Sequence, residues 1–239
     1  MRKVLIGAGG LVGKSIASKL TFESMQTSAS PLDESHFDFA VIAAPGAEKW
    51  KANLDPKSDL NQVMRLISRL DSMSLDTVIH MSTVDVYANP NYSDEESDLT
   101  DSSSPYGFHR RLLEEFLTSR FRQVRIFRLG GLVGDGLKKN AVYDMKHHNR
   151  LEAISPTSTM QFFPLRKLHE FISSEYENVG PVVNLTSPPL ALSQVASMAN
   201  VNLNPNAPSV HYDVRSKHFG SGYAVNLEDS LLAIGDYLA

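Results

Sequence analysis

Residues 2–13 read RKVLIGAGGLVG: an apolar run, Val4, Leu5 and Ile6, that empties into glycines at Gly7, Gly10 and Gly13. An unbroken apolar run of this kind marks a strand buried on both faces of a parallel sheet. The glycines permit a tight turn and a close approach of backbone to a bound group, and Gly9 adds further freedom. Leu11 and Val12 open a helix expected over residues 11–20, whose N-terminal N–H groups and positive dipole end favour a phosphate. Glycine-rich strand-to-helix turns also arise for purely steric reasons. Context separates the two readings, because a preceding strand and a following helix are the setting that pyrophosphate binding requires.

Working outward, short apolar runs predict strands at 39–43, 77–81, 124–128 and 181–185, with the first at 3–6. Helical periodicity predicts helices at 60–71, 106–120, 227–238 and a short one near 165–176. Between residues 21 and 36 there is room for one brief strand, at 23–27, so this half of the sheet reads as abbreviated. Such alternation predicts a doubly wound, mostly parallel α/β sheet with helices on both faces and ligands at the carboxyl ends of the strands. The turn-rich stretches 89–104 and 200–209 read as loops or linkers. The expected organisation is a nucleotide-binding core over 1–136, with 137–239 supplying the remaining core elements and a small C-terminal elaboration, the whole forming one compact unit.

The chain has 239 residues, 42% hydrophobic and 21% charged, enough to bury one sizeable core. A formal charge of −4 without a basic cluster argues against nucleic acid or anionic membrane and for small-molecule partners. The absence of cysteine excludes disulfides, thiolate metal sites and a cysteine nucleophile. With no apolar leader or long apolar span, the expectation is a soluble cytoplasmic protein, in which the sequons at Asn91 and Asn184 are chance matches.

A second constellation is MSTVDVY, residues 81–87, at the end of the strand predicted over 77–81. Ser82 and Thr83 there offer hydroxyls over the crevice; the alternative is that they cap a turn. Further on, SPYGFHRRLLEEF spans residues 104–116. Pro105 fits a helix start, and Tyr106, Arg110 and Glu114 recur at i, i+4 and i+8 on one helical face. The plainer alternative makes Arg110 and Glu114 a surface ion pair and Tyr106 an amphipathic edge residue.

Taken together and in order, these segments resemble the extended short-chain dehydrogenase/reductase family, the nucleotide-sugar epimerases and dehydratases. GAGGLVG resembles the family's cofactor loop, and FAVIAAPG, residues 39–46, the strand beside the adenosine half of the cofactor. MSTVDVY resembles its serine/threonine segment, SPYGFHR its Tyr-x-x-x-Lys segment, and FRLGGLVGDG, residues 127–136, the strand and glycine turn before the substrate-binding part. The resemblance implies a Rossmann-like fold and NAD or NADP as cofactor, held by Gly7, Gly9, Gly10, Leu11, Val12, Gly13, Ala43, Ala44, Pro45, Met81, Ser82, Tyr106, Arg110 and Leu129. It also implies Tyr106 as acid/base, Thr83 as the residue that aligns a substrate oxygen, Arg110 as the ribose-binding cation, and Glu114 at the acidic position that follows.

Two departures matter. The lysine of the family motif is Arg110 here. A unit charge at about 5 Å and an effective dielectric of about 20 supplies roughly 3 kcal/mol toward ionising the phenol, but the longer, forked guanidinium is a poor geometric substitute for an ammonium at ribose hydroxyls. At the end of the brief strand, residues 26–30 offer amides and hydroxyls rather than the acid that signals NAD or the arginine that signals NADP, so the sequence leaves the two open.

For substrate recognition the expected residues are Thr83, Asp85, Lys138, Lys139 and Arg215. Arg150, Lys217 and His218 stand as further candidates near the same pocket, and a solvated basic helix is the alternative for 137–150. His147 and His148 are adjacent, so they cannot clasp one metal jointly, and no metal is expected. The stripe Leu112, Leu113, Phe116 and Leu117 suits either pairing in a homodimer or the core. The leading reading is an NAD(P)-dependent epimerase, dehydratase or reductase acting on a nucleotide-linked or related sugar. The rival is a non-catalytic NAD(P)-binding protein, a redox sensor or assembly partner.

Overall fold

The computed structural model describes residues 1–31, 35–99, 104–173 and 180–239. Its central sheet has six strands, β1 (Lys3–Ile6), β2 (Ser24–Gln26), β3 (His36–Ile42), β4 (Ser74–Thr83), β5 (Gln123–Leu129) and β9 (Val182–Leu185), in the order β2-β1-β3-β4-β5-β9. β1 pairs in parallel with both β2 and β3, and β3 with β4, in a register that sets Ile6 beside Ile42 and Ile42 beside His80. This is the doubly wound, mostly parallel sheet expected from the alternation of apolar runs, and the brief strand at 23–27 is present as β2. In chain order the sheet grows from β1 to β2 on one side and then returns to β3 on the other, so the strand order reverses at β1. In such sheets the crevice that takes ligands opens outside the carboxyl ends at that reversal.

Helices follow the strands: α1 (Leu11–Ala17), α2 (Lys49–Leu54), α3 (Pro56–Asp71), α4 (Pro105–Arg120), α5 (Ala141–Lys146), α6 (Leu168–Ile172), α7 (Leu192–Ala199) and α8 (Leu227–Leu238). α3 begins where Asp55 accepts a hydrogen bond from Ser58 N with proline at the first position, and α4 begins likewise with Ser104 bonding Gly107 N before Pro105. Both are capping arrangements that satisfy orphan N–H groups. The helix expected near 165–176 is a 3-10 turn at Leu165–Lys167 followed by α6, and residues 174–176 lie outside the described part, as do 100–103 of the expected loop. α2, α5 and α7 and four short strands, β6 (Gly131–Val133), β7 (Thr159–Met160), β8 (Phe162–Pro164) and β10 (Leu190–Ala191), are additions to the sequence reading.

The chain divides into two compact units, residues 1–88 with 98–128 and 168–183, and residues 89–97 with 129–167 and 184–239. Where the sequence reading places one boundary at residue 136, the contacts place several. In the first unit the core joins Val4, Ile6, Phe37, Ala40, Ile42 and Val78 to Val63 and Leu70 of α3 and to Leu113 and Leu117 of α4, with Phe116 against it. The α4 stripe is therefore mostly spent on the core, and Leu112 is half-buried. In the second unit β6 pairs in parallel with β8 and β10 antiparallel with β7. Val133, Val142, Met145, Phe162, Val195 and Ile234 form its core.

Candidate active site

At the reversal point the glycine turn is tightly determined. Gly7 has φ +91°, and a Cβ there would lie 2.3 Å from the carbonyl oxygen of Ala43, at the end of β3. A Cβ on Gly13 would lie 2.2 Å from the Gly7 carbonyl oxygen. These two glycines let α1, the turn and the β3 end come together. Gly9 and Gly10 differ. Both are exposed, neither needs a positive φ, and a Cβ on either would meet protein atoms only at 3.6 and 3.5 Å. Internal packing thus leaves room for a side chain at Gly9 and Gly10, although both are glycine and exposed. The amides of Gly7 and Ala8 both bond the Gln26 carbonyl, tying the turn to β2. Leu11 and Val12 are half-buried behind it, and Ala43, Ala44 and Pro45 line the adjoining β3 end, where the Ala44–Pro45 bond is cis.

The end of β2 holds a residue that sequence inspection of 26–30 missed. Arg69, from the last turn of α3, donates to Gln26 Oε1 at 2.7 Å and to the carbonyls of Ser30 and Pro31 at 2.9 Å each. Its buried Nε has no hydrogen-bond partner among the described residues.

Two strands along, β4 delivers the second constellation. Thr83 ends the strand and caps the 3-10 turn Val84–Val86, accepting from Asp85 N at 3.2 Å. The capping role does not bury the hydroxyl away from the site, because the same Thr83 side chain lies near enough to the Tyr106 phenol to favour its ionised form. Gly107 makes this meeting feasible: a Cβ there would lie 2.0 Å from the Asp85 carbonyl oxygen, so the first turn of α4 presses directly onto the 84–86 turn. Asn53 of α2 fixes the same helix start by accepting from Tyr106 N at 3.1 Å. Thr83 and Tyr106 are both buried.

Arg110 lies beneath Tyr106, its guanidinium carbon 4.3 Å from the ring centroid. It is no surface residue. Its two terminal nitrogens reach the Asp59 carboxylate at 2.9 and 3.0 Å, and one also reaches the Gly46 carbonyl at 2.8 Å. His109 Nδ1 closes on the same carboxylate at 2.7 Å. Burial pushes the Asp59 carboxyl up, but the hydrogen bonds from Arg110 and His109 outweigh it and hold the group below the usual range. Even so paired, Arg110 is the strongest of the charges acting on the Tyr106 phenol. Burial raises the Tyr106 phenol above its ordinary value, and the nearby Asp85 charge adds to this; Arg110, the Thr83 hydrogen bond and Lys49 pull the other way without prevailing.

The surface pair Arg110–Glu114 does not form. Glu114 is buried and holds Arg128 of β5 through a forked contact, 2.7 Å at its shortest, while Arg128 also donates to Tyr87 at 2.8 Å. Ser82 donates to Glu114 as well, so its hydroxyl is engaged inside the network. Met81 is buried beside it. On β4, His80 is fully buried with Nδ1 on the Ile42 carbonyl, and burial depresses it to about 4.

Asp85 sits between the two constellations: one carboxylate oxygen receives Lys49 Nζ at 2.7 Å, and the other lies 3.4 Å from Thr83 Oγ1. Leu129, Lys138, Lys139 and Arg215 belong to the second unit. There the two lysines are exposed, Leu129 is buried, and Arg215 pairs with Asp213 at 2.9 Å and lies over the Tyr92 ring. Also in that unit, Lys217 pairs with Glu96, and the His147 ring lies tilted against Tyr143 with centroids 4.2 Å apart. His36, Asp38 and Asp76 bring three potential metal-ligating atoms together at the opposite, N-terminal ends of β3 and β4.

Fold and site together define a Rossmann-like, doubly wound α/β protein with a glycine turn at its switch point and, two strands along, Thr83 at the end of β4 beside Tyr106 of α4. Solved structures match the chain over its whole length. A UDP-galactose 4-epimerase superposes with a TM-score of 0.74 and 17% identity, covering 100% of this chain and 97% of that one. The dTDP-4-dehydrorhamnose reductase of Bacillus anthracis, in complex with NADP, gives 0.73 and 15%, covering 99% and 98%. The UDP-glucuronic acid 4-epimerase of Bacillus cereus, in complex with UDP-glucuronic acid and NAD, gives 0.69 and 17%, covering 100% and 99%. At these identities the likeness is one of fold. No protein-family model matches the chain, and no curated protein matches it in sequence.

Proposed function

We propose that the protein is an NAD(P)-dependent enzyme of the epimerase, dehydratase or reductase kind, acting on a nucleotide-linked or related sugar. The observation that carries this reading is the pairing of Thr83 with Tyr106 at the end of β4, two strands from a glycine turn whose open positions internal packing does not explain. Adjacent strands lie ~5 Å apart, so the two features are about 10 Å from each other across the sheet edge, well within the span of a dinucleotide. Gly9 and Gly10 leave backbone exposed to a pyrophosphate, and Ala43, Ala44 and Pro45 flank its adenosine side. A bound nicotinamide supplies the hydride donor or acceptor. The chain's own part is to orient a substrate oxygen with Thr83 and to exchange its proton at the Tyr106 hydroxyl. That the structures of similar fold include sugar-nucleotide epimerases and reductases supports the choice of substrate class.

One observation favours the second reading, a non-catalytic NAD(P)-binding protein. Tyr106 is held above the normal phenol range and Arg110 is engaged by Asp59, so the phenol is not poised near neutral pH. Turnover decides between them. Under the enzyme reading, coenzyme oxidation or epimer formation with a panel of nucleotide sugars falls by ~10² or more in Tyr106→Phe while coenzyme affinity changes little. Coenzyme binding without turnover on any panel member, and with no effect of Tyr106→Phe, assigns the protein to the binding class.

A further inference from the structure

At the N-terminal ends of β3 and β4, away from the glycine turn, strand alternation gathers four polar side chains of the first unit. His36 and Asp38 stand two residues apart on β3, Ser74 and Asp76 two apart on β4, and the parallel register sets His36 beside Ser74. Residues two apart on a strand share a face, and neighbouring strands lie ~5 Å apart, so the segments HFD and SLD present all four side chains together. The His36 ring meets the Ser74 hydroxyl through Nδ1 at 3.0 Å and turns Nε2 to Asp38 Oδ1 at 3.5 Å and Asp76 Oδ2 at 3.2 Å. One donor atom from each of the three residues lies within 4.8 Å of the other two.

Three features set this cluster apart from an ordinary acidic surface patch. The donor set is mixed, an imidazole nitrogen with two carboxylate oxygens, which suits a divalent ion of the zinc kind rather than Mg2+ or Ca2+, whose sites are built of oxygen. The spacing also fits: donors ~2.0 to 2.1 Å from Zn2+ stand roughly 3.3 Å from one another in a tetrahedron, between the two distances found here. The donors are oriented from outside the set as well. Ser74 fixes the ring by its far nitrogen, the arrangement that second-shell partners give a metal-ligating histidine. Arg2 N donates to Asp38 Oδ2 and holds that carboxyl below its usual range, so Oδ1 is left facing the imidazole as a charged oxygen.

The positive groups nearby do not occupy the same space. The Met1 amino group faces Asp38 Oδ2 at 3.7 Å, and the Arg2 guanidinium is spent on Glu23 and the His36 carbonyl. Among the described residues, His36 is the one hydrogen-bond or ion-pair partner of Asp76.

We propose that His36, Asp38 and Asp76 form a binding site for one divalent transition-metal ion of the zinc kind, with a water in the remaining position and Ser74 as the residue that orients the imidazole. The ion clamps the N-terminal ends of β3 and β4. Sequence inspection passes over the site because its ligands come from two strands almost forty residues apart, each contributing a short and unremarkable polar pattern. The proposal is independent of the coenzyme and of Tyr106, so it stands or falls apart from the proposed function.

The experiment titrates the chelator-stripped, dialysed full chain with ZnCl2 by calorimetry and follows the histidine ring nitrogens by NMR. One ion binds per chain, the Nε2 resonance of His36 moves, and Nδ1 keeps its proton toward Ser74. His36→Ala and Asp76→Asn each weaken binding by tenfold or more, and Ser74→Ala by ~10-fold, the effect of removing an orienting partner. All of these positions are exposed, so the variants fold, and an unchanged backbone spectrum in the absence of metal verifies it. Lack of saturable binding, equal uptake of MgCl2, or an affinity for Zn2+ that ignores His36→Ala or Ser74→Ala overturns the proposal.

Discussion

At the scale of single residues, chemistry and packing make opposite demands on the four glycines of the amino-terminal turn. Gly7 and Gly13 are glycine because neighbouring backbone occupies the Cβ position, and Gly7 also sits at φ +91°. Gly7→Ala is expected to destabilise the fold by ~2 kcal/mol or more, from strain and overpacking together. Gly10→Ala, with only ordinary contacts ahead of it, is expected to cost under about 1 kcal/mol, and urea unfolding of the two variants reads the contrast directly. Equal losses in both would mean that the whole turn is glycine for steric reasons. Nothing in the one-dimensional pattern distinguishes these roles. The glycines read as equivalent in sequence, and only the approach of the Ala43 carbonyl to Gly7 and of the Gly7 carbonyl to Gly13 separates them.

At the scale of elements, the decisive contact is α4 against the turn that ends β4. Gly107 stands where any side chain would collide with the Asp85 carbonyl, so Gly107→Ala is expected to force the helix start away and separate Tyr106 from Thr83. The check is a loss of ~1 to 3 kcal/mol in stability accompanied by a fall in turnover at least as large as that of Thr83→Val. A variant with wild-type stability and activity would show that the two elements do not depend on this close approach. The long apolar strands and the α4 face were legible in the sequence because each carries its own unbroken run or periodicity, whereas the brief β2 followed only from the room left between residues 21 and 36. α2, at six residues, has neither, yet it brings Lys49 and Asn53 to Tyr106. Asp59 was equally hidden: it lies on α3 about fifty residues from Arg110, and only the packing of α3 on α4 turns an ordinary helical aspartate into the partner of that guanidinium. The spacing of Tyr106, Arg110 and Glu114 correctly placed all three on one helix. It could not reveal that Arg110 and Glu114 answer to different buried partners, since those partners come from α3 and β5.

At the scale of the whole molecule, buried ionisable groups set the response to acid. His80 is fully buried and depressed to about 4, so it stays neutral in the folded chain where the unfolded chain takes up a proton. Its contribution is fully present above about pH 6.5, the unfolded value, and is lost as pH falls toward the folded value; between pH 7.5 and 5 the loss is about 2 kcal/mol. Asp59, held low by Arg110 and His109 against burial, adds a further loss only below about pH 4. Urea unfolding at the two pH values is expected to show this decline in the wild type and to lose most of it in His80→Asn; an unchanged slope in the variant would move its origin elsewhere. Among the described residues no helix is long and apolar enough to cross a membrane. The account as a whole depends on the cradle at Gly9 and Gly10 receiving a pyridine dinucleotide. Isothermal titration of the wild-type chain with NAD, NADH, NADP and NADPH tests this most directly, with Gly10→Ala alongside. The account predicts saturable binding of at least one of the four and a loss of tenfold or more, ~1.4 kcal/mol, in the variant. Absence of binding by all four, or equal binding by a variant that fills the cradle, would contradict it.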